Sequence, residues 1–256
     1  MKKTCIFCGC RANTSEDVMP KWILRLLRKQ ERERVPMRTY RLGQPPKDRL
    51  VKESAQKVRN VCGMCNNGWM SHLEEDVKPI FTDMVLGRSV SLTLSQRERI
   101  TTWLTKCAIM YESMVHGEKL YNGLDRHHFM NTVSPLQSTS VWLGRYTGCI
   151  ARQIVDYRLL YRQQGQAEPV QIIVLTMVVG QLALQLASAK WTAPVPQIDL
   201  PTFVLPTTKD LLVQVWPATF NETLWPPSIS FDDAGNRIKY LVVRFGGREL
   251  ENGSCQ

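Results

Sequence analysis

The chain has 256 residues, a formal net charge of +10 and an apolar share of 43%. This length allows one large domain or two modest ones, and the composition is that of an ordinary soluble globular protein. The chain contains no internal repeat and no low-complexity segment.

The predicted elements begin with a tight cysteine-containing turn at residues 5–9 and a helix over 20–32. Prolines and a glycine break the stretch 34–56, which therefore predicts a loop with short strand pieces. A second helix is expected to begin around Cys65. Pro79 is expected to bend or shorten that helix, because proline lacks the N–H of a helical hydrogen bond.

The middle of the chain predicts a strand over 89–94 and then a helix that ends at about residue 115. Ser95 and Glu98 have the spacing of a capping box, so this helix is expected to start there. A shorter helix is predicted over 124–132. The strands predicted after it cover 141–146, 150–161, 170–178, 182–189, 203–205 and 211–215.

Residues 170–189 have roughly the length of a membrane span, but polar side chains punctuate them. Apolar and small or polar residues alternate over 182–189, which is the period of a strand with a buried face. The interpretation is a β-hairpin that turns near Gly180, without a membrane segment. The fold class is therefore α+β, with a mainly antiparallel sheet and helices on one side of it.

Four of the eight cysteines form two Cys-x-x-Cys pairs, Cys5 with Cys8 and Cys62 with Cys65. Each pair can place two thiolates about 2.3 Å from one ion, and two pairs complete the tetrahedral shell of Zn²⁺. Gly9 follows the first pair, as in a zinc knuckle, whereas the second pair opens a helix. This layout predicts a treble-clef finger that holds a structural zinc ion.

Disulfide bonds or buried free thiols are the alternative for these pairs. No stretch resembles a secretory signal, so a reducing, cytoplasmic compartment is expected, where disulfides are rare. The remaining cysteines, Cys10, Cys107, Cys149 and Cys255, lack a partner at such a spacing and are expected to be core or surface thiols. Cys10 remains an alternative ligand to the ion.

Positive charge is concentrated between the two cysteine pairs. Residues 20–60 contain 13 Lys or Arg against 4 Asp or Glu. Such a segment beside a metal site predicts contacts with the phosphates of a nucleic acid, whereas a solvated charged surface is the alternative. The residues predicted to make these contacts are Lys21, Arg25, Arg28, Lys29, Arg32, Arg34, Arg38 and Arg41.

The segments around both cysteine pairs resemble the HNH endonuclease family, the ββα-metal nucleases built on a zinc-bearing treble clef. In that family an acidic-His dipeptide, two further residues and a proline follow the first knuckle. The second Cys-x-x-Cys then opens a helix with Asn or His directly behind it. Glu16 occupies the acidic position, Pro20 the proline position and Asn66 the position behind Cys65. The resemblance covers about the first 75 residues, and Asp17 stands where the family has its histidine.

The resemblance implies a metal-dependent DNA endonuclease that hydrolyses phosphodiester bonds with a catalytic Mg²⁺ or Mn²⁺ in addition to the structural zinc. Its implied catalytic residues are Glu16, Asp17 and Asn66. An aspartate is a weaker base than imidazole, since its ordinary pKa is about 3.9. Asp17 therefore orients a water, joins Glu16 as a metal ligand, or marks the loss of catalysis. As a simpler alternative, both acids only favour a helix N-terminus.

Three functions remain open from the sequence. The chain is an HNH-like endonuclease, a catalytically inactive zinc protein that binds nucleic acid, or a structural zinc domain for protein contacts. The expected partner is nucleic acid, DNA in the first instance, and no membrane; a homodimer fits the resemblance, because many such nucleases cut both strands by pairing. The predicted domains are a zinc domain over 1–85, a helical segment over 86–138 and a β-rich domain of unknown role over 139–256.

Overall fold

Helices and strands both contribute to the fold, in agreement with the predicted mixed class. The computed structural model describes residues 3–27, 34–41, 44–52, 57–114, 119–137, 139–148, 152–161, 170–189, 211–218 and 222–232. Its helices are α1 (Lys21–Leu26), α2 (Gly63–Cys65), α3 (Ser71–Val85), α4 (Leu94–Met114) and α5 (Gly123–Thr132). Its strands are β1 (Thr14–Asp17), β2 (Arg34–Arg41), β3 (Gln44–Lys52), β4 (Lys57–Val61), β5 (Val90–Leu92), β6 (Thr139–Tyr146), β7 (Arg152–Tyr161), β8 (Val170–Val179), β9 (Leu182–Ala189), β10 (Val213–Trp216), β11 (Thr223–Trp225) and β12 (Ser230–Phe231).

The largest sheet has six strands, in the order β10-β6-β9-β8-β7, with β12 added in parallel to β6. The other pairings in this sheet are antiparallel, as predicted. The predicted hairpin is confirmed, because Val179 pairs with Leu182 across a turn at Gly180, where φ is +54°. A left-handed φ of this kind favours glycine, which has no Cβ. The predicted strand over 203–205 lies outside the described residues.

Helix α4 lies at the centre of the molecule and packs on α3 and on the strands β6, β9 and β10. Every residue of α4 from Ile100 to Glu112 is buried. One hydrophobic core extends from Cys5 to Trp225 and includes residues of all three predicted segments. This shared core does not mark where one segment ends and the next begins, so the predicted domain boundaries stay a prediction. In the described part of the chain, no helix combines the length and apolar composition that crossing a bilayer requires.

Helix α3 follows the second cysteine pair through a π-helical turn, Asn66–Met70, and a kink at Gly68. Pro79 was predicted to bend or shorten this helix; shortening is wrong, because α3 continues past it to Val85, and bending stays a prediction. At its end the carbonyl oxygen of Val85 accepts a hydrogen bond of 3.0 Å from the N–H of Gln181, in the β8–β9 turn. The helix that leaves the cysteine pair is thus anchored directly on the main sheet.

The stretch 34–56 differs most from its prediction. In place of a loop with short strand pieces, β2 and β3 form an antiparallel hairpin of 8 and 9 residues. A proline disrupts a central strand but is tolerated where one edge is free, and both strands of a two-stranded ribbon have a free edge. The breaking residues therefore did not prevent strand pairing.

Two helix boundaries also differ from the sequence prediction. Helix α1 ends at Leu26, six residues earlier than expected, and residues 28–33 lie outside the described part. The predicted capping box of Ser95 and Glu98 is wrong by two positions. Thr93 and Gln96 form it instead, with reciprocal bonds of 2.9 and 3.3 Å between side chain and backbone N–H. Their spacing satisfies the same Thr-x-x-Gln pattern, so spacing alone did not distinguish the two.

Candidate metal centre

The four cysteines of the two pairs come together at the N-terminal end of the molecule. One ligand atom from each of Cys5, Cys8, Cys62 and Cys65 lies within 4.8 Å of every other. The sulfurs of a tetrahedral zinc site are separated by about 3.8 Å, so small adjustments complete such a site. The cluster can therefore hold a metal ion.

The first pair lies on a tight turn. The N–H of Cys5 donates to the carbonyl oxygen of Cys10 at 2.7 Å, and the N–H of Gly9 donates to that of Cys5 at 3.0 Å. Gly9 has a φ of +75°, the left-handed conformation that this turn requires. Cys10 itself is exposed and lies outside the four-cysteine cluster.

N–H groups point at the sulfurs of the cluster. Burial opposes ionisation of Cys5, but backbone N–H groups of Cys8 and Phe7 outweigh it and lower the pKa of the thiol to about 7. Burial raises the pKa of Cys65, although the ring N–H of the nearby Trp69 opposes that rise. No described residue lies within hydrogen-bonding geometry of this buried Trp69 N–H, so its effect on the sulfur is that of a nearby dipole. Thiolates bound to a metal ion are stabilised by such donors.

Helix α5 covers the cluster. Trp69 lies between two phenylalanines, with ring centroids 5.0 Å from Phe7 and 5.7 Å from Phe129, both edge to face. His127 Nδ1 lies 3.3 Å from the carbonyl oxygen of Phe7, and Met130 Sδ lies 3.8 Å from the sulfur of Cys65. The cysteine cluster is therefore packed into the body of the protein.

Strands β1 and β4 connect the two cysteine pairs. They are antiparallel, and Thr14 pairs with Val61 next to the cluster. At the far end Asp17 pairs with Lys57, so residues 18–56 form an insertion between adjacent positions of this small sheet. We call the part of the chain that holds the cysteine cluster and the β1–β4 pair the finger. The basic segment is thus an insertion whose two ends are held together by backbone hydrogen bonds.

The acidic residues singled out by the resemblance lie at this far end, on β1. The Glu16 carboxylate is 3.6 Å from Lys106 Nζ, and the side chain of Glu16 is 15% exposed. Asp17 forms an ion pair of 3.8 Å with Lys57. Asn66 lies in the π-helical turn directly behind Cys65, half-buried, and its N–H donates to the carbonyl oxygen of Cys62 at 3.0 Å. The resemblance implies that Glu16 acts together with Asn66. In the structure, the contacts of Glu16 are with other residues.

Two of those residues are Lys106 and Glu74, which the sequence did not single out. Lys106 is fully buried on α4, and its Nζ lies 2.6 Å from the carboxylate of Glu74 on α3. Burial lowers the pKa of Lys106, but Glu74, Cys107 and Glu16 together outweigh it and raise that pKa above its ordinary value. In the sequence, the signal for a buried Lys106 was its position between Trp103 and Cys107, which lie on the predicted apolar face of the helix.

Glu16 is strongly perturbed in this cluster. Burial raises its pKa from 4.5 to about 7; Lys106 opposes the rise, whereas Glu74 and Asp17 add to it. Carboxylates from β1 and α3 thus share one buried ammonium group. Such an arrangement can hold α4 against the finger. Because the one ammonium group already faces two carboxylates, it has little positive charge left to offset any further anion.

The structure places the predicted nucleic-acid contacts in different parts of the insertion. Lys21 and Arg25 are exposed on α1. Arg34, Arg38 and Arg41 are positions of β2. Arg28, Lys29 and Arg32 lie outside the described residues.

Comparisons of the chain with protein-family models, with curated proteins and with solved structures find no match. The chemistry of the site is therefore inferred from its own residues.

Proposed function

We propose that the chain is a zinc-stabilised, nucleic-acid-binding protein whose finger is an HNH-like treble clef. The tetrathiolate composition of the cluster favours zinc, because four closed thiolate ligands are typical of structural zinc sites. The order of knuckle, paired strands and helix supports the treble-clef interpretation.

The observation that carries the binding function is the pairing of β1 with β4 at the ends of the basic insertion. A charged segment held at both ends on a metal-stabilised finger loses less conformational entropy on binding than a free tail. Its cations then neutralise phosphates and release counterions, which supplies affinity without sequence readout.

Titration of labelled duplex and single-stranded DNA with the full chain, over a series of salt concentrations, tests this function. Affinity should fall steeply with salt for the intact protein. The variant Lys21→Gln/Arg25→Gln should weaken binding and reduce the salt slope by about 1.8, or about 0.9 per lost phosphate contact. Its matched control is Lys78→Gln/Arg88→Gln, which removes two exposed cations of and just beyond α3. No binding at low salt would refute the proposal and favour a zinc domain for protein contacts.

Phosphodiester hydrolysis by the same finger is the second candidate. The adjacent acids Glu16 and Asp17 at the end of β1 favour it, since carboxylate oxygens are the ligands that Mg²⁺ and Mn²⁺ prefer. The nearby Lys106 ammonium opposes it, because a divalent cation at Glu16 would be held beside a positive charge. Nucleic-acid binding is therefore the favoured function, and hydrolysis is the second candidate.

Incubation of plasmid DNA with the protein and Mg²⁺ or Mn²⁺ separates the two candidates. A nuclease centred on Glu16 nicks the plasmid, and Glu16→Ala abolishes nicking while the zinc content stays unchanged. Cleavage that survives Glu16→Ala combined with Asn66→Ala would place the chemistry elsewhere. Binding without strand breaks under either ion supports the first candidate.

A further inference from the structure

The two cysteine pairs meet at Cys8 and Cys62, whose sulfurs lie 3.4 Å apart. These two residues are far apart in the sequence, so contacts between their segments must fix the separation of the sulfurs. A metal ion binds more tightly when its ligands are already held in place, because less conformational freedom is lost on binding. The residues that fix this separation are therefore candidates for control of metal affinity.

The backbone of Cys62 is held on both sides by two adjacent side chains, Asn13 and Thr14. The Oδ1 of Asn13 accepts a hydrogen bond of 2.8 Å from the N–H of Gly63, the residue directly after Cys62. The Oγ1 of Thr14 donates to the carbonyl oxygen of Val61, the residue directly before Cys62, at 3.0 Å. Both peptide groups that flank Cys62 are thus bound by side chains that the sequence did not single out.

The bond to Gly63 also satisfies the start of a helix. Gly63 is the first residue of α2, and the first N–H groups of a helix have no acceptor within it. Asn13 supplies that acceptor, as a capping residue does, but from a distant segment of the chain. A Cβ atom placed on Gly63 would lie 3.7 Å from Asn13 Oδ1 and 3.7 Å from Thr14 Cγ2, so both side chains pack against this residue.

Asn13 and Thr14 are in turn connected to the first cysteine pair. The N–H of Ala12, directly before Asn13, donates to the carbonyl oxygen of Lys3 at 2.9 Å. This bond closes a short ladder around the turn that carries Cys5 and Cys8. The two side chains therefore start from the segment of the first pair and are bonded to the segment of the second.

We propose that Asn13 and Thr14 are positioning residues of the metal centre, whose hydrogen bonds on either side of Cys62 hold the second cysteine pair at the first and raise the affinity for zinc. This inference rests on the zinc-stabilised finger of the proposed function. Neither side chain is a ligand, because four thiolates complete the shell. Their effect is on the placement of Cys62.

The test measures the zinc affinity of the full chain by competition with a chelator. Asn13 is exposed, so Asn13→Ala removes its hydrogen bond without leaving a cavity in the core. This variant should bind zinc about 10-fold to 100-fold more weakly, the usual loss when a group that orients a ligand is removed. Asn13→Asp keeps an acceptor oxygen and should stay within about 3-fold of the unaltered chain.

Thr14 offers a second matched pair of variants. Thr14→Val removes the hydroxyl at nearly constant volume and should also weaken zinc binding by about 10-fold, whereas Thr14→Ser keeps the donor and should stay within about 3-fold. Cobalt-loaded samples should have the same absorption spectrum in every variant, because the four sulfur ligands are unchanged. A change in affinity without a change in spectrum identifies positioning residues.

Two controls separate this effect from general loss of stability. Asn67→Ala removes another exposed amide, two residues after Cys65, and Thr93→Ala removes the cap of the distant helix α4. Both should leave the zinc affinity within about 3-fold of that of the unaltered chain. Unchanged zinc affinity in both Asn13→Ala and Thr14→Val, or equal weakening by Thr93→Ala, would overturn this inference alone. An unaltered chain that binds no zinc would refute the zinc-stabilised finger, and the inference with it.

Discussion

Lys106 carries a positive charge inside the protein, where an ammonium group without partners costs several kcal/mol. Its partners are Glu74 at 2.6 Å and Glu16 at 3.6 Å. These three residues come from α4, α3 and β1, so their contacts connect the finger to the central helix. One ammonium group faces two carboxylates, so removal of Lys106 leaves both carboxylates without a cation, whereas removal of the Glu16 charge leaves a balanced pair of Lys106 and Glu74.

Replacement of this lysine should be far more harmful than replacement of a similar surface residue. Lys106→Met leaves the two glutamates without their cation and should lower the free energy of unfolding by about 3–5 kcal/mol. Arg99→Met is the matched control, because Arg99 lies on the same helix and forms an exposed ion pair of 3.6 Å with Asp76 of α3. It should cost less than about 1 kcal/mol. Urea unfolding measures both, and equal costs would contradict the buried-charge account.

The raised pKa of Glu16 predicts a specific pH dependence. Its pKa is about 7 in the folded protein and 4.5 in the ordinary state, so folding takes up a proton between these values. The contribution of Glu16 to stability is therefore full below pH 4.5 and is lost as the pH rises to about 7. Glu16→Gln keeps a neutral side chain at every pH, so the variant should match the wild type near pH 4.5 and exceed its stability at pH 8.

Thermal unfolding of both proteins from pH 4.5 to 8 measures this difference. Glu75→Gln, at an exposed position of α3, serves as the control and should show no such divergence. A Glu16→Gln variant less stable than the wild type at pH 8 would show that the ionised carboxylate is the stabilising form.

At the scale of elements, α4 supports both the sheet and the finger, so the start of this helix matters. Thr93 and Gln96 cap it by reciprocal hydrogen bonds. Thr93→Ala should lower the free energy of unfolding by about 1 kcal/mol. Ser95→Ala should change it by less than about 0.5 kcal/mol, because Ser95 lies inside the helix and is exposed. Chemical unfolding measures both. A larger loss of stability for Ser95→Ala than for Thr93→Ala would show that Ser95 is the cap, as the sequence suggested.

Sequence periodicity predicted the elements whose pattern reports on burial. Alternation over 182–189 and a glycine at 180 gave the β8–β9 hairpin, and the apolar face around Trp103 gave α4. The β2–β3 ribbon was missed because prolines weaken a strand pattern even where a free edge tolerates them. Sequence patterns thus predicted an element correctly only where the local preference of its residues agreed with their tertiary environment.

The candidate site shows the same limit. The Cys-x-x-Cys spacing identified the four residues of the cluster, because two ligands from each pair must meet at one ion. The contacts among Glu16, Glu74 and Lys106 depend on how three distant segments pack, and no spacing rule relates them. Asn66 was linked to Glu16 only through a resemblance, and the contacts of Glu16 go to other residues.

At the scale of the whole molecule, the finger and the sheet share one hydrophobic core. Helix α5 packs on the cysteine cluster through Phe129, and α3 connects the cluster to the β8–β9 turn. Loss of the proposed zinc ion should therefore weaken the packing of the whole protein. Structural zinc in finger peptides contributes on the order of 10 kcal/mol to folding, so the effect should be large.

The most direct test of this account is the metal content of the purified full chain, measured with Cys8→Ser and Cys10→Ser as a matched pair. Both residues lie on the first turn, but only Cys8 belongs to the four-cysteine cluster. The account predicts one zinc ion per chain in the unaltered protein and in Cys10→Ser, and zinc that a chelator removes readily from Cys8→Ser. A chain without bound metal, or equal loss of zinc from both variants, would contradict it.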